Sequence, residues 1–577
     1  MLLVIVLCAA YFWRAREVPE EPLPPNVLLV MTDDQGYGDF SGMGNPVLET
    51  PRLDGFAREC PQVERFYVSP VCAPTRASLL TGRYNYRTRV VDTYRGRAQM
   101  EPDEVTLAEA LRGSGYRTGI FGKWHLGDAH PMRAMDQGFE DALVHRGGGL
   151  AQPSEPPENG RRYTDPLLEQ NGRWFRATGY CTDVYVDEAL MFMDESIQNQ
   201  RPFFAYVATN APHDPFHDVP EELYKKYSER DLSAVQIEDG TDADVIARTY
   251  AMIENADRNF GRLLDFLDDR GVADDTIVVF LVDNGPVRGR WNAGLRGGKT
   301  TVYEGGIRSP LWIRWPGHLS PETVVDAISA HIDIMPTLLQ ATGTPEPTGA
   351  AFDGKSLLPL LEGKDVDWPD RHLVIQSHRG DVPERDHNCA IIGETWKLVR
   401  ASGYGQATAG RAAQWQLYDI DDDPGEADNR IAKEMGRVIE MRTVYDDWYA
   451  DVSTTREDNY APPRIQPGTD LEPTTALTWQ DWRSDSKPGW GTGGWWELRF
   501  GEAVELDLTL RFKEERAMDL VYVTIGDEVH GRAVEGPGAT LPIGRFAFPA
   551  GDVRLSIECR SGDESFDAYQ VVLKRPR

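Results

Sequence analysis

Four hard oxygen donors fall at two points of the chain. Asp33-Asp34 follows the apolar run Val27–Met31, and Asp283-Asn284 follows Thr276–Val282. Such donors suit Ca²⁺ or Mg²⁺ rather than Zn²⁺. Adjacent carboxylates repel unless a cation or a partner neutralises them. Asp-Gly and Asn-Gly are also ordinary turn residues, so each pair alone reads more often as a turn than as a ligand. A second cluster is Ser69-Pro70-Val71-Cys72-Ala73-Pro74-Thr75-Arg76. Pro74 suits the first turn of a helix, and Arg76 would project near the same end. A helix start offers free N–H groups and a positive dipole end to an anion. A free cysteine is otherwise a small buried hydrophobe; a place beside arginine at a helix start argues for reactivity without deciding it. Lys123 and His125 follow Arg117–Phe121, and His213 follows Phe203–Ala208.

These polar groups need strands to bring them together. The runs Val27–Met31, Arg117–Phe121, Phe203–Ala208, Thr276–Val282 and Leu311–Arg314 are short, apolar and bounded by Gly, Pro or Asp. That pattern predicts parallel strands buried on both faces. Helical patterns lie between them, as at Leu107–Ser114 and Tyr250–Arg270. Alternation of this kind implies a doubly wound α/β sheet. Ligands bind such sheets beyond the carboxyl ends of the strands, and the first four runs are followed there by Asp, Lys, His or Asn.

Composition bounds the rest. The 577 residues predict two to four structural units. Lys+Arg 61 against Asp+Glu 92 gives a net charge of −31, which repels phosphate backbones and argues against nucleic-acid partners. An anionic substrate would need a locally positive site. Six scattered Cys form no disulfide framework. Met1 to Trp13 is apolar and followed by Arg14 and Arg16. It is too short to span a membrane and fits the hydrophobic part of a secretory signal, although no basic segment precedes it. Export to the periplasm or outside is expected, with anchoring by this segment as the alternative. Val18 to Pro25 reads as a linker.

The run Cys72-x-Pro74-x-Arg76-x-x-Leu79-Leu80-Thr81-Gly82-Arg83 resembles the signature of the type I sulfatases. Asp33-Asp34-Gln35-Gly36, Gly122-Lys123-Trp124-His125, Pro212-His213-x-Pro215, Asp283-Asn284-Gly285, Gly297-Gly298-Lys299 and Ile332-Asp333 resemble other blocks of that family, in family order. The resemblance covers about residues 24–450. It implies an alkaline-phosphatase-like core (about 24–365) and a small antiparallel C-terminal subdomain (about 366–460). It also implies that Cys72 is converted to Cα-formylglycine by a maturation enzyme before folding. Asp33, Asp34, Asp283 and Asn284, with residue 72, would hold one divalent cation, usually Ca²⁺. Arg76 would stabilise the developing oxyanion, Lys123 and Lys299 would clamp sulfate oxygens, His213 would protonate the leaving alcohol, and His125 would hold the second diol hydroxyl and help expel sulfate. The implied activity is hydrolysis of aryl or carbohydrate sulfate esters. A phosphate or phosphonate ester hydrolase on the same fold is the alternative, and a non-catalytic sulfate- or glycan-binding relative is a second. One departure is Pro286 after Asn284-Gly285, which would reshape the substrate rim.

Other polar residues are expected to be structural. Asp54 reads as a cap or scaffold contact, Asp333 as a buried structural carboxylate, His217 as a loop residue, and Asp421-Asp422-Asp423-Pro424 as a solvated turn. After a Pro-rich linker, the strand-like runs Trp495–Phe500, Val504–Phe512, Leu520–Ile525, Val553–Ile557 and Tyr569–Leu573 predict an appended β-sandwich over 475–577. Five Trp lie between Trp479 and Trp496. They are expected to fill a core or an interface, with a sugar-binding platform as the alternative.

Overall fold

The computed structural model describes residues 23–576 apart from 151, 161, 238–240, 288, 350, 378, 406–412, 459 and 485–492. The apolar segment Met1 to Trp13 and Trp490 therefore lie outside the described residues. Among the described residues, no helix is long and apolar enough to cross a membrane.

The central sheet is built from β1 (Asn26–Thr32), β2 (Arg117–Lys123), β3 (Asp141–His145), β4 (Leu167–Gln170), β5 (Arg173–Arg176), β6 (Phe203–Ala208), β7 (Thr276–Val282) and β8 (Leu311–Arg314). Their spatial order is β8-β7-β1-β6-β2-β3-β4-β5. β7, β1, β6, β2 and β3 are parallel. Every residue of β6 and β7 is buried, as a sheet covered on both faces requires. One face packs on the helices Cys72–Thr81 and Ile334–Thr342, and the other on Cys181–Gln198 and Ala243–Asp269. One sequence expectation needs correcting. Leu311–Arg314 is not parallel; β8 pairs antiparallel with β7 at the sheet edge. An apolar run of four residues specifies burial but not direction, and a strand reached without a full crossover helix returns the opposite way.

The parallel strands deliver their carboxyl ends to one side. Thr32, Lys123, Ala208 and Val282 end four neighbouring strands, so Asp33, Lys123, the 209–213 turn and Asp283 emerge close together. Beyond the sheet, Leu373–Gln376, Cys389–Ile392, Trp396–Arg400 and Gln416–Asp419 form an antiparallel sheet covered by the helix Met435–Val452.

The C-terminal residues form two antiparallel sheets around one apolar core. Val504–Arg516 is its longest strand, and its alternating burial follows the sequence alternation. Glu528–Ala533 and Gly538–Phe548 are strands that the sequence pattern did not indicate. The first carries almost no buried residue, and the second is broken by Gly and Pro, so neither shows a clean period of two. Trp482 and Trp496 are buried in this core, and Trp479 stacks on Trp482 and meets Tyr569 edge-on. These three fill a core rather than present a platform.

This unit docks on the α/β core through a buried carboxyl pair. The Asp128 backbone N–H donates to Asp481 (2.8 Å), and the Thr478 hydroxyl donates to the Asp128 carboxyl (2.9 Å). Burial pushes Asp481 up to about 6 and Asp128 well above its usual value, the latter aided by Asp481 itself. A folded-state value above the ordinary 3.8 means that the protonated form favours folding, so stability is full at low pH and falls as pH rises through about 6. The Asp481 shift corresponds to about 3 kcal/mol. Asp481→Asn, which keeps an acceptor for the Asp128 N–H, is expected to raise the melting temperature at pH 8 and to lose that advantage below about pH 4. Thermal melts across this range check it; a variant less stable than wild type at pH 8 contradicts it.

Candidate active site

The helix Cys72–Thr81 is buried along its whole length and begins at Cys72, with Val71 extended before it. The Thr75 hydroxyl donates to the Asp283 carbonyl (2.7 Å) and accepts from the Ser69 N–H (3.0 Å), tying the helix start to the end of β7. Asp34 adopts a left-handed φ of 63°, uncommon outside glycine, and its N–H donates to Asp283 (3.1 Å). Gly285 is required because a Cβ there would lie 2.0 Å from the Gly305 carbonyl oxygen.

Ligand atoms of Asp33, Cys72 and Asp283 all lie within 4.8 Å of one another. The Asn284 amide donates to Asp34 (2.8 Å). Three cations face these carboxylates. Lys123 pairs with Asp33 (2.5 Å), Lys299 with Asp34 (2.6 Å) and Arg76 with Asp283 (3.0 Å). Arg76 also donates to the Lys123 carbonyl (3.0 Å). Burial, with Asp33 beside it, pushes Asp283 up to about 7. Asp34 is equally buried, yet Lys299 and His213 hold it below the usual carboxylate range. The Cys72 thiol is raised by burial, so it stays protonated and is a poor nucleophile as it stands.

Two histidines complete the set. His213 Nδ1 donates to the Asp214 carbonyl (2.7 Å), leaving Nε2 3.8 Å from Asp34. His125 Nε2 donates to the Thr93 carbonyl (2.7 Å). Burial lowers the pKa of both rings. All ten sequence-derived residues thus converge at the carboxyl end of the sheet. The four that line the cavity are Cys72, His125, His213 and Lys299; it has a volume of about 440 Å³. A larger groove of about 750 Å³, lined by Arg308 and Trp312, contains none of the ten.

The cavity also holds residues that the sequence did not single out: Thr93, Tyr94, Gln152, Arg379 and Tyr404. Arg379 lies over the rings of Tyr94 (4.0 Å) and Tyr404 (4.8 Å) and pairs with the buried Asp92 (3.2 Å). One signal was available in Gly147-Gly148-Gly149. A Cβ at Gly148 would lie 2.8 Å from His125 Cε1, and one at Gly149 would lie 3.0 Å from His213 Nδ1. Gly148 and Gly149 let the backbone approach the two rings, and Gly147 lets it approach Ser154.

The residues set aside keep structural roles. Asp333 accepts from the Ala330 and Lys355 N–H groups and pairs with Arg371. Asp54 lies inside a short helix and accepts from Ser41 and Thr50. Asp423 accepts from the N–H groups of Ala427 and Asp428 in a turn, and His217 is exposed away from the cavity. The rim expectation for Pro286 is corrected. It is buried against Gly36 and does not line the cavity, and its carbonyl accepts the Lys299 N–H (3.0 Å). Its effect is on the placement of Lys299, because the turn after Asn284 folds inward.

Comparison with known proteins agrees with this geometry. The pattern of the family described as Sulfatase matches residues 25–344, and that of N-sulphoglucosamine sulphohydrolase, C-terminal, matches residues 297–444. The chain belongs to the sulfatase family. It is a sulfuric ester hydrolase. This sulfatase is 34% identical to human N-acetylgalactosamine-6-sulfatase over 394 residues, covering 63% of the chain and 69% of that protein. It is 32% identical to human arylsulfatase A over 461 residues, covering 72% and 85%. The crystal structure of Ps i-CgsB in complex with k-i-k-neocarrahexaose superposes with a TM-score of 0.65 at 25% identity, covering 76% of this chain and 95% of that one.

Sulfatases typically combine a formylglycine with a divalent cation, and the donors present fit a cation. Asp33 Oδ1 and Asn284 Oδ1 are buried oxygens without a hydrogen-bond partner among the described residues. Hard-oxygen ligation would satisfy both. Calcium added to the chelator-treated sulfatase is therefore expected to raise its melting temperature. The gain is about 2.7 kcal/mol of stability at a hundredfold excess over Kd, and Asp33→Asn should remove most of it. Calcium-independent melting of the wild type would rule the cation site out.

Proposed function

We propose that this sulfatase removes sulfate from a sulfated carbohydrate, with residue 72 as Cα-formylglycine and one Ca²⁺ held by Asp33, Asp34, Asp283, Asn284 and residue 72. The observation that carries the reading is the joining of Asp33, Cys72 and Asp283 at one buried point, ringed by Arg76, Lys123 and Lys299. Three carboxylates and three cations give a site that can hold both a metal and an anion. The unmodified thiol is too poor a nucleophile for this chemistry. When present, the hydrated aldehyde supplies an oxygen nucleophile and the cation supplies Lewis acidity. Cys72 is 2% exposed, which supports its conversion by a maturation enzyme before the chain folds.

The chain's own groups divide the remaining work. Lys123 and Lys299 orient sulfate oxygens as point charges. Arg76, fixed by Asp283 and the Lys123 carbonyl, supplies a positive charge near residue 72. His213 is anchored at Nδ1, so Nε2 faces the cavity, and when the ring takes up a second proton there it passes that proton to the leaving alcohol and returns to the neutral form. His125 carries its proton on Nε2, because a carbonyl only accepts, and its Nδ1 lone pair remains to take a proton beside residue 72. Tyr94, Tyr404, Arg379 and Gln152 give the cavity aromatic faces and hydrogen-bonding groups that suit a sugar ring. The names of the relatives, one a sulfatase of an amino sugar and one solved with a carrageenan oligosaccharide, support the same class. Export, indicated by Met1 to Trp13, would place the enzyme where such polymers are met.

A proton donor matters most when the leaving group is a poor one. His213→Ala is expected to lose about 10²–10⁴-fold on an alkyl or sugar sulfate and far less on an activated aryl sulfate. Lys299→Ala removes a charge from the sulfate oxygens, common to both substrates, so its losses should be similar on both. Assaying both variants on both esters checks the assignment. A His213 loss independent of leaving-group acidity would give the acid role to another residue, with His125 next in line.

A further inference from the structure

We propose that Gln480, in the C-terminal β-sandwich, is a positioning residue for His125. This rests on the reading of His125 given above. The link is a single carbonyl. Thr93 O accepts from His125 Nε2 (2.7 Å) and also from Gln480 Nε2 (2.9 Å). The two donors use both lone pairs of that oxygen. Thr93 therefore holds the imidazole with the proton on Nε2, and Gln480 holds Thr93.

The arrangement is built rather than incidental. Gln480 is 2% exposed and lies two residues after the strand Thr474–Thr478. Its own carbonyl accepts from the Gly96 N–H (2.7 Å), and its N–H donates to the Thr478 hydroxyl (3.2 Å). Trp479 beside it is clamped between Trp482 and Tyr569. The loop carrying Thr93 is thus tied to residue 480 through both its side chain and its backbone carbonyl, and Arg95 adds a bond to the Ser484 carbonyl (2.6 Å). On the other side of the cavity the Tyr569 hydroxyl donates to the Gln152 carbonyl (3.1 Å). The sandwich therefore backs Thr93 and Gln152, two residues that line the active site, without lining it itself.

His125 Nδ1 is buried and has no hydrogen-bond partner among the described residues. It borders the cavity that Cys72 lines. The ring is useful there only if Nδ1 is the bare nitrogen. Without the Gln480 N–H, the Thr93 carbonyl is free to turn, and His125 is free to exchange its proton between the two nitrogens. Gln480 touches no reacting atom, so its effect passes entirely through Thr93 and His125.

The test is Gln480→Met, which preserves length and removes the donor, with Gln480→Leu as a second variant that has no donor. The protein is labelled with ¹⁵N-histidine and studied by solid-state NMR, His125 being assigned from the signals lost in His125→Gln. Wild type is expected to show His125 as one neutral form protonated at Nε2. Both variants should show a mixture of the two neutral forms. On an activated aryl sulfate kcat should fall about tenfold with KM little changed, the size expected for one hydrogen bond. If Gln480→Met does not fold, Gln480→Leu decides by the same signals. A folded variant with wild-type His125 signals and kcat within about twofold overturns the proposal. The NMR result does not depend on turnover. Altered signals in a chain that cleaves no sulfate ester would uphold the Gln480 link while refuting the proposed function.

Discussion

Everything at this site follows from the cost of burying like charges together. Asp33, Asp34 and Asp283 are nearly inaccessible to solvent and crowded at the ends of two neighbouring strands. Uncompensated carboxylates in such a setting would be very costly. The fold answers with Arg76 from a buried helix, Lys123 from the end of β2 and Lys299 from the turn after β7. The compensation is incomplete at Asp283, which burial and its neighbour Asp33 push up to about 7. Orphaned oxygens on Asp33 and Asn284 mark the same shortfall. A divalent cation would relieve it and release the lysines toward an anion. The charges that make the site expensive are thus those that would make it able to bind a metal and a sulfate side by side.

Much of this was legible in the chain. Parallel strands covered on both faces write themselves as apolar runs, and a functional residue after such a run must emerge at the carboxyl edge. Asp33, Lys123, His213 and Asp283 were readable for that reason. At residue 72, Pro74 and Arg76 marked a helix start, but the role of the cysteine came from the family resemblance of the run to Arg83. The direction of β8 was not, since four apolar residues fit either edge orientation. The inward fold of Pro286 was also hidden, because it depends on Gly36 lying opposite. Tyr94, Arg379 and Tyr404 were invisible for a different cause. They belong to loops far apart in sequence, and only tertiary packing brings their rings and guanidinium together.

The C-terminal sandwich shows the same limit on a larger scale. Its Trp residues announced a packed core, and Trp482 and Trp496 are in one. Nothing local announced that residues 478–484 would also grip the loop carrying Thr93 or pair Asp481 with Asp128. Those bonds join residues 353 and 387 positions apart. An appended unit that buries carboxyls against the α/β core cannot be a loosely tethered module. Its docking and the shape of the cavity are a single packing problem.

The account stands or falls on the chemical state of residue 72. Trypsin releases the peptide Phe66 to Arg76, cut after Arg65 and Arg76. Mass spectrometry of this peptide from protein co-produced with a formylglycine-generating enzyme, set beside the sulfatase activity of the same preparation, tests it directly. The account predicts an aldehyde at residue 72 and activity in proportion to the converted fraction. Full activity from protein whose residue 72 is entirely unmodified cysteine would contradict it.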